Sequence, residues 1–139
     1  MPTIERFEDL EVWQEAREAV LAIYRVTKEF PSNERHGLAN QMQRAAISTM
    51  SGIVEGFERE TSEEFINFLY AALGSAGRVR SQAYTAIDLW YISQTECDDL
   101  VQRCGKLSRR LRDFIERVER ASPESDGGWR IEEPEINEK

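Results

Sequence analysis

Acid–base chemistry needs carboxylates held close together, and this chain has one dense group of them: Glu55, Glu58, Glu60, Glu63 and Glu64. They straddle a link between two helical stretches, where solvated acids and helix caps are the ordinary outcome. His36 is the only histidine, so no multi-histidine metal site forms within one chain. A Ser-His-Asp triad would have to recruit it with no motif recommending it. The di-iron pattern of helical bundles needs Glu-x-x-His, and Asn33 stands where that glutamate would be. There is no Cys-x-x-Cys and no Gly-x-x-x-x-Gly-Lys phosphate loop. Cys97 and Cys104 lie seven residues apart, roughly 10 Å along one helix and beyond disulfide reach. They read as two small core residues. The expectation is a protein that is not an enzyme and uses no metal and no cofactor.

Residues suited to binding are more prominent. Arg103, Lys106, Arg109, Arg110, Arg117 and Arg120 recur at the helical period within about a third of a circumference, with Asp113 interrupting and Glu116 flanking them. Glu11, Glu15 and Glu18 form an acidic row on another helix. A solvated face with i, i+4 pairs is the plain reading, each pair contributing only a few tenths of a kcal/mol. One sharper reading puts the arginines on the phosphates of RNA or DNA. Another docks them on the Glu11, Glu15, Glu18 face of a neighbouring subunit, a head-to-tail contact that closes into a ring if its rotation permits. The net charge of −8 weakens the nucleic-acid reading. Half of that charge lies beyond Ser122, where six acids stand against two bases. Within this acidic stretch, Gly127-Gly128-Trp129-Arg130-Ile131 reads by default as tail without a role; its sharper reading is a short docking motif for a partner or for the bundle itself.

The elements that must carry these residues are helices. Proline occurs only at positions 2, 31, 123 and 134, which leaves everything between Pro31 and Pro123 free to be helical. The first helix is expected from about Asp9 to Phe30, burying Leu10, Trp13, Val20, Ile23, Tyr24 and Phe30. The second runs from near Glu34 to Phe57 on a stripe of Leu38, Met42, Ala45, Thr49, Ile53 and Phe57. Capping boxes at Thr61–Glu64 and Ser93–Glu96 open the third and fourth. The third buries a face from Phe65 through Ile87 to Trp90, and the fourth one from Leu100 to Val118. Short links make these helices antiparallel neighbours. The fold class is therefore all-α, an up-down four-helix bundle over residues 1–121, followed by a disordered acidic tail over 122–139. Small residues Ser48, Gly52 and Gly56 on the second helix, and Ala71-Ala72 with Gly74-Ser75-Ala76-Gly77 on the third, suggest a close crossing of the two. The third helix also carries a second apolar row, Ile66, Leu73, Tyr84 and Tyr91, at about a right angle to the first. A second row implies a second neighbour, hence a homo-oligomer. Hydrophobic residues make up 40% of the chain and charged ones 32%, so no membrane span is expected. No apolar run follows the charges of the N-terminus, and the expected location is the cytoplasm.

Several blocks in order resemble a known family. They are Phe7-Glu8-Asp9-Leu10-Glu11-Val12-Trp13, then Phe30-Pro31 with Glu34 and Gly37 to Met42, then Ser48 to Glu55-Gly56, then Phe65 to Gly74-Ser75. From Phe7 to about Val118 the chain is similar to the four-helix-bundle proteins encoded in intervening sequences of 23S rRNA genes. The accessory variability determinant proteins of diversity-generating retroelements are relatives. Two positions depart from the family pattern: Gly52 replaces an Asn, and Arg78 stands where an acid is usual, which removes the partners of a polar contact. The resemblance implies a ring-like homopentamer. Most members have no known function, and the nucleic-acid and reverse-transcriptase binding of the retroelement relatives belongs to strongly basic chains. The resulting expectation is an oligomeric binding or scaffold protein with a macromolecular partner. The alternative is an RNA- or DNA-binding accessory protein using the arginine stripe.

Overall fold

The computed structural model describes residues 4–121. Four helices follow one another: α1 (Glu11–Thr27), α2 (Leu38–Phe57), α3 (Ser62–Asp88) and α4 (Gln94–Arg120). Each packs on its neighbours in sequence and α4 returns to α1, so the four close a bundle. No strand occurs among the described residues. The acidic tail and its Trp129 motif lie outside them.

Helix ends follow their local chemistry. Phe30 precedes a proline and so disfavours helical backbone. The chain leaves the helix after Thr27 through tighter turns, with the Glu29 and Phe30 N–H groups donating to Val26 and Thr27 carbonyls. The buried Thr27 hydroxyl donates to the Ile23 carbonyl at 2.8 Å and accepts from Gln43 Nε2 at 3.0 Å, tying α1 to α2. The segment from Glu34 to Gly37 is not yet α2, as the apolar period had suggested. Ser32–Glu34 is a single 3-10 turn, and the Glu34 carboxylate reaches forward to accept the Leu38 N–H at 2.8 Å. It thereby caps a helix whose own N-cap position, Gly37, has no side chain. Ser93 and Glu96 form the full reciprocal box at the start of α4, whereas at α3 the hydroxyl half is present, Thr61 accepting from the Glu64 N–H.

The core divides along the bundle. One end is filled by large side chains, Leu10, Phe57, Phe65, Leu69, Leu111, Phe114 and Ile115, with Phe65 set edge-on to both Phe57 and Phe114. The other end is alanine-rich, built on Ala22, Ala39, Ala45, Ala46, Ala83 and Ala86 around Met42 and Leu100. Both cysteines are buried there, and burial raises both thiols, that of Cys104 to about 11. Two expected core residues lie elsewhere. Tyr24 is exposed, its place on α1 taken by Val12, Ala16 and Ala19, and Trp90 falls beyond the end of α3.

The small residues sort into two groups. A Cβ on Gly52 would lie 3.5 Å from both Ala72 Cβ and the Phe68 carbonyl, and one on Gly56 only 2.7 Å from Phe68 Cβ. These glycines let α2 lie against α3. Gly74 and Gly77 face open space instead, with nothing within 4 Å of a Cβ.

Candidate interaction surfaces

The cationic stripe read on α4 divides between two seams. On the α1 side, Arg110 is 13% exposed and forks between two carboxylates, Glu11 Oε1 and Glu15 Oε2, each at 2.8 Å. Arg103 pairs with Asp99 at 2.9 Å and with Glu18 at 3.9 Å, and Lys106 lines the same seam beside Glu15 and Glu18. The acids expected to meet a neighbouring subunit thus have their arginines within the chain. The reason is that α1 and α4, first and last in sequence, are adjacent when the bundle closes. Glu15 is half-buried and its Oε1 has no hydrogen-bond partner. Burial raises its pKa despite the attraction of Arg110. Arg117 is half-buried, and Arg120 is exposed beside Glu116 at 3.7 Å.

On the other side of α4, Arg109 and Arg112 face α3. With Arg80 they border a groove of about 350 Å³ whose floor contains Gly77, Gly105 and Ser108, with Leu73 and Val101 also lining it. Among the described residues none of these three arginines has a carboxylate within ion-pair distance, and no acid lines the groove. Sequence periodicity had placed Arg109 in the stripe but missed Arg80 and Arg112. Arg112 lies on α4 but to one side of the stripe, and Arg80 comes from α3, which a pattern read along α4 alone does not register.

The second apolar row of α3 is largely used inside the chain. Ile66 and Leu73 are half-buried against the large-residue core. Tyr91 lies in the link after α3, its hydroxyl donating to Glu34 Oε2 at 2.8 Å and its ring 5.0 Å from that of Phe30. That contact clasps the α1–α2 link to the α3–α4 link. Only Tyr84 of the row is exposed.

The least expected surface residue is Trp90. α3 ends with the Tyr91 N–H donating to the Ala86 carbonyl and the Trp90 N–H to that of Ile87, both at 2.9 Å. This is a Schellman closure, whose left-handed position normally holds glycine. Trp90 occupies it at φ 66°, with 92% of its surface exposed and Leu89 beside it at 47%. A bulky residue there costs about 1 kcal/mol or more. A third surface lies between α2 and α3, where Arg44, Ile47, Ser48, Ser51, Arg78 and Gln82 line a groove of about 620 Å³. The Gln82 Oε1 atom is buried without a partner, and Arg78, the departure from the family's acid, stands in this groove rather than in the helix crossing.

The acids Glu55, Glu58, Glu60, Glu63 and Glu64 are all exposed around the α2–α3 link, as is His36 at the approach to α2. Among the described residues no three His, Cys, Asp or Glu side chains are placed to hold a metal. No described helix is long and apolar enough to cross a membrane.

No curated protein matches the chain. A crystal structure of a protein of unknown function from the S23 ribosomal protein family of Bacteroides thetaiotaomicron superposes with a TM-score of 0.70 at 20% identity, covering 76% of this chain and 95% of that one. At that identity the likeness speaks for the fold. The family model described as 23S rRNA-intervening sequence protein matches residues 8–113, from just before α1 to well into α4, and the chain belongs to that family.

Proposed function

We propose that this protein is a non-enzymatic, cytoplasmic binding or scaffold protein whose bundles assemble into a ring, a pentamer as its family resemblance suggests, to present a surface to a macromolecular partner. The observation that supports this reading is Trp90. A tryptophan held in a glycine position, almost wholly exposed and flanked by an exposed Leu89, is unfavourable for the isolated chain. Backbone strain of that kind persists where a function uses it, and tryptophan is one of the residues enriched at the energetic centres of protein interfaces. Exposed Tyr84, on the last turns of the same helix, adds apolar surface near it. The runner-up, nucleic-acid binding through the α4 stripe, has less support: Arg110 and Arg103 are engaged by carboxylates of the same chain.

Light scattering at micromolar concentration tests the proposal. The expected result is a discrete assembly that Trp90→Ser dissociates or weakens, with the helical signal unchanged. A monomer at every concentration overturns the ring.

A further inference from the structure

The groove between α3 and α4 has the chemistry of a site for an acidic, partly apolar strand. Arg80, Arg109 and Arg112 supply three positive charges, none with a carboxylate of the described residues within ion-pair distance. Beneath them the groove is open at Gly77, where a Cβ would meet nothing within 4 Å, while at Gly105 a Cβ would lie 3.6 Å from the Arg109 guanidinium, so any indole there meets that cation. Leu73 and Val101, both half-buried, give it apolar walls. An occupant must therefore bring carboxylates and at least one large apolar side chain together.

The chain itself carries such a strand. Residues 122–139 follow α4 directly and hold Glu124, Asp126, Glu132, Glu133, Glu135 and Glu138 against Arg130 and Lys139. Trp129 and Ile131 stand among the acids, two positions apart. In an extended strand that spacing puts both on one side and turns Arg130 to the other.

The segment has the reach. One extended residue spans about 3.3 Å and one helical residue 1.5 Å. The distance along α4 from Ala121 back to Val101 therefore takes about nine extended residues, and residues 122–139 supply these with enough left over for the reversal at the helix end. Trp129, Ile131 and the acids around them then fall along the groove, where the acids meet the arginines. Tethering makes the encounter intramolecular, so modest attraction suffices to fill the groove.

We infer that the acidic C-terminal segment docks in the α3–α4 groove of its own chain, Trp129 seated over Gly77 and Gly105 with its neighbouring acids on Arg80, Arg109 and Arg112. The groove is then self-occupied, and a competing polyanion must displace the segment to reach the arginines. This inference is independent of ring assembly.

The test uses the full chain labelled with 5-fluorotryptophan, its three fluorine resonances assigned by single Trp→Phe variants. At low salt the Trp129 resonance should show the small solvent isotope shift of a shielded indole, well below the shift it shows in the same chain unfolded in urea. The double variant Arg109→Glu, Arg112→Glu should expose Trp129 while the Trp13 resonance stays in place, showing that the bundle is intact. Added inorganic polyphosphate should likewise release Trp129. The inference is overturned if Trp129 in the parent protein is as exposed as in the urea-unfolded chain, or if the double variant leaves it shielded. Polyphosphate that binds the parent but not the double variant, with Trp129 unmoved, assigns the groove to a phosphate backbone, and shielding lost on dilution assigns it to a second copy; either result also overturns the inference.

Discussion

Glu34 does three things with one carboxylate. It caps α2 through the Leu38 N–H, holds Tyr91 through its hydroxyl, and occupies space that a Cβ on Gly37 would invade. The Leu38 N–H bond, and after it the Tyr91 hydroxyl, hold its pKa below the ordinary 4.5. A folded carboxyl that binds its proton more weakly than the unfolded one stabilises the fold above the ordinary value. That contribution disappears as pH falls through the lowered value. Glu34→Gln should therefore lower the urea midpoint at neutral pH, and the gap to the parent should close in acid, where both side chains are neutral. A gap that persists unchanged in acid would show that the charge is not what Leu38 and Tyr91 recognise. Half-buried Glu15 acts in the opposite sense: its pKa is raised, so its contribution is present below the ordinary value and lost as pH rises through the raised one. The parent's overall acid response combines these with other shifted carboxyls, Glu8 among them, and only the comparison with the variant isolates Glu34. None of this was legible in the sequence. Tyr91 and Glu34 are 57 residues apart, and a helix period extended back to Glu34 conceals that it is a cap.

At the scale of elements the sequence was far more informative, because amphipathic period and capping chemistry are local. The Ser93–Glu96 box opened α4 as read, and the stripe from Leu100 to Val118 is buried at Leu100, Cys104, Leu107, Leu111, Phe114, Ile115 and Val118. The misplacements came at ends, where the signal passes from side chains to backbone geometry. Pro31 acts three residues upstream through Phe30, and Trp90 sits where the period still runs but the helix has closed. The glycines show what sequence leaves open. Ser48, Gly52 and Gly56 share one spacing, yet only Gly52 and Gly56 are buried against α3, while Ser48 faces the outer groove. Gly56→Ala should destabilise the protein by about 1–3 kcal/mol, since its Cβ would press on Phe65 and Phe68 in a filled core. Gly74→Ala, on an exposed turn of α3 with room for the methyl, should stabilise it by roughly 0.5–1 kcal/mol. Urea titrations of the two variants check both signs. A stabilising Gly56→Ala would mean that the α2–α3 crossing opens to admit the methyl at little cost.

Over the whole molecule, closure of the bundle decides which charges remain for partners. A stripe on one helix looked like a single cationic face, but α1 meets one edge of it and α3 the other. Glu11 and Glu15 therefore hold Arg110, and Arg109 joins Arg80 and Arg112. Such partition depends on contacts between distant segments, which the periodicity of one helix does not encode. The same scale governs Trp90. Its left-handed backbone costs the isolated chain about 1 kcal/mol relative to glycine, whereas an interface that buries the indole returns free energy only when chains associate. Stability and assembly are then linked by mass action. Trp90→Gly should accordingly be more stable than the parent in dilute solution, by about that 1 kcal/mol. As protein concentration rises the parent should gain stability and the variant should not, so their thermal midpoints should cross. Midpoints that run parallel, with the variant higher throughout, would separate Trp90 from assembly and leave its exposure to some other partner.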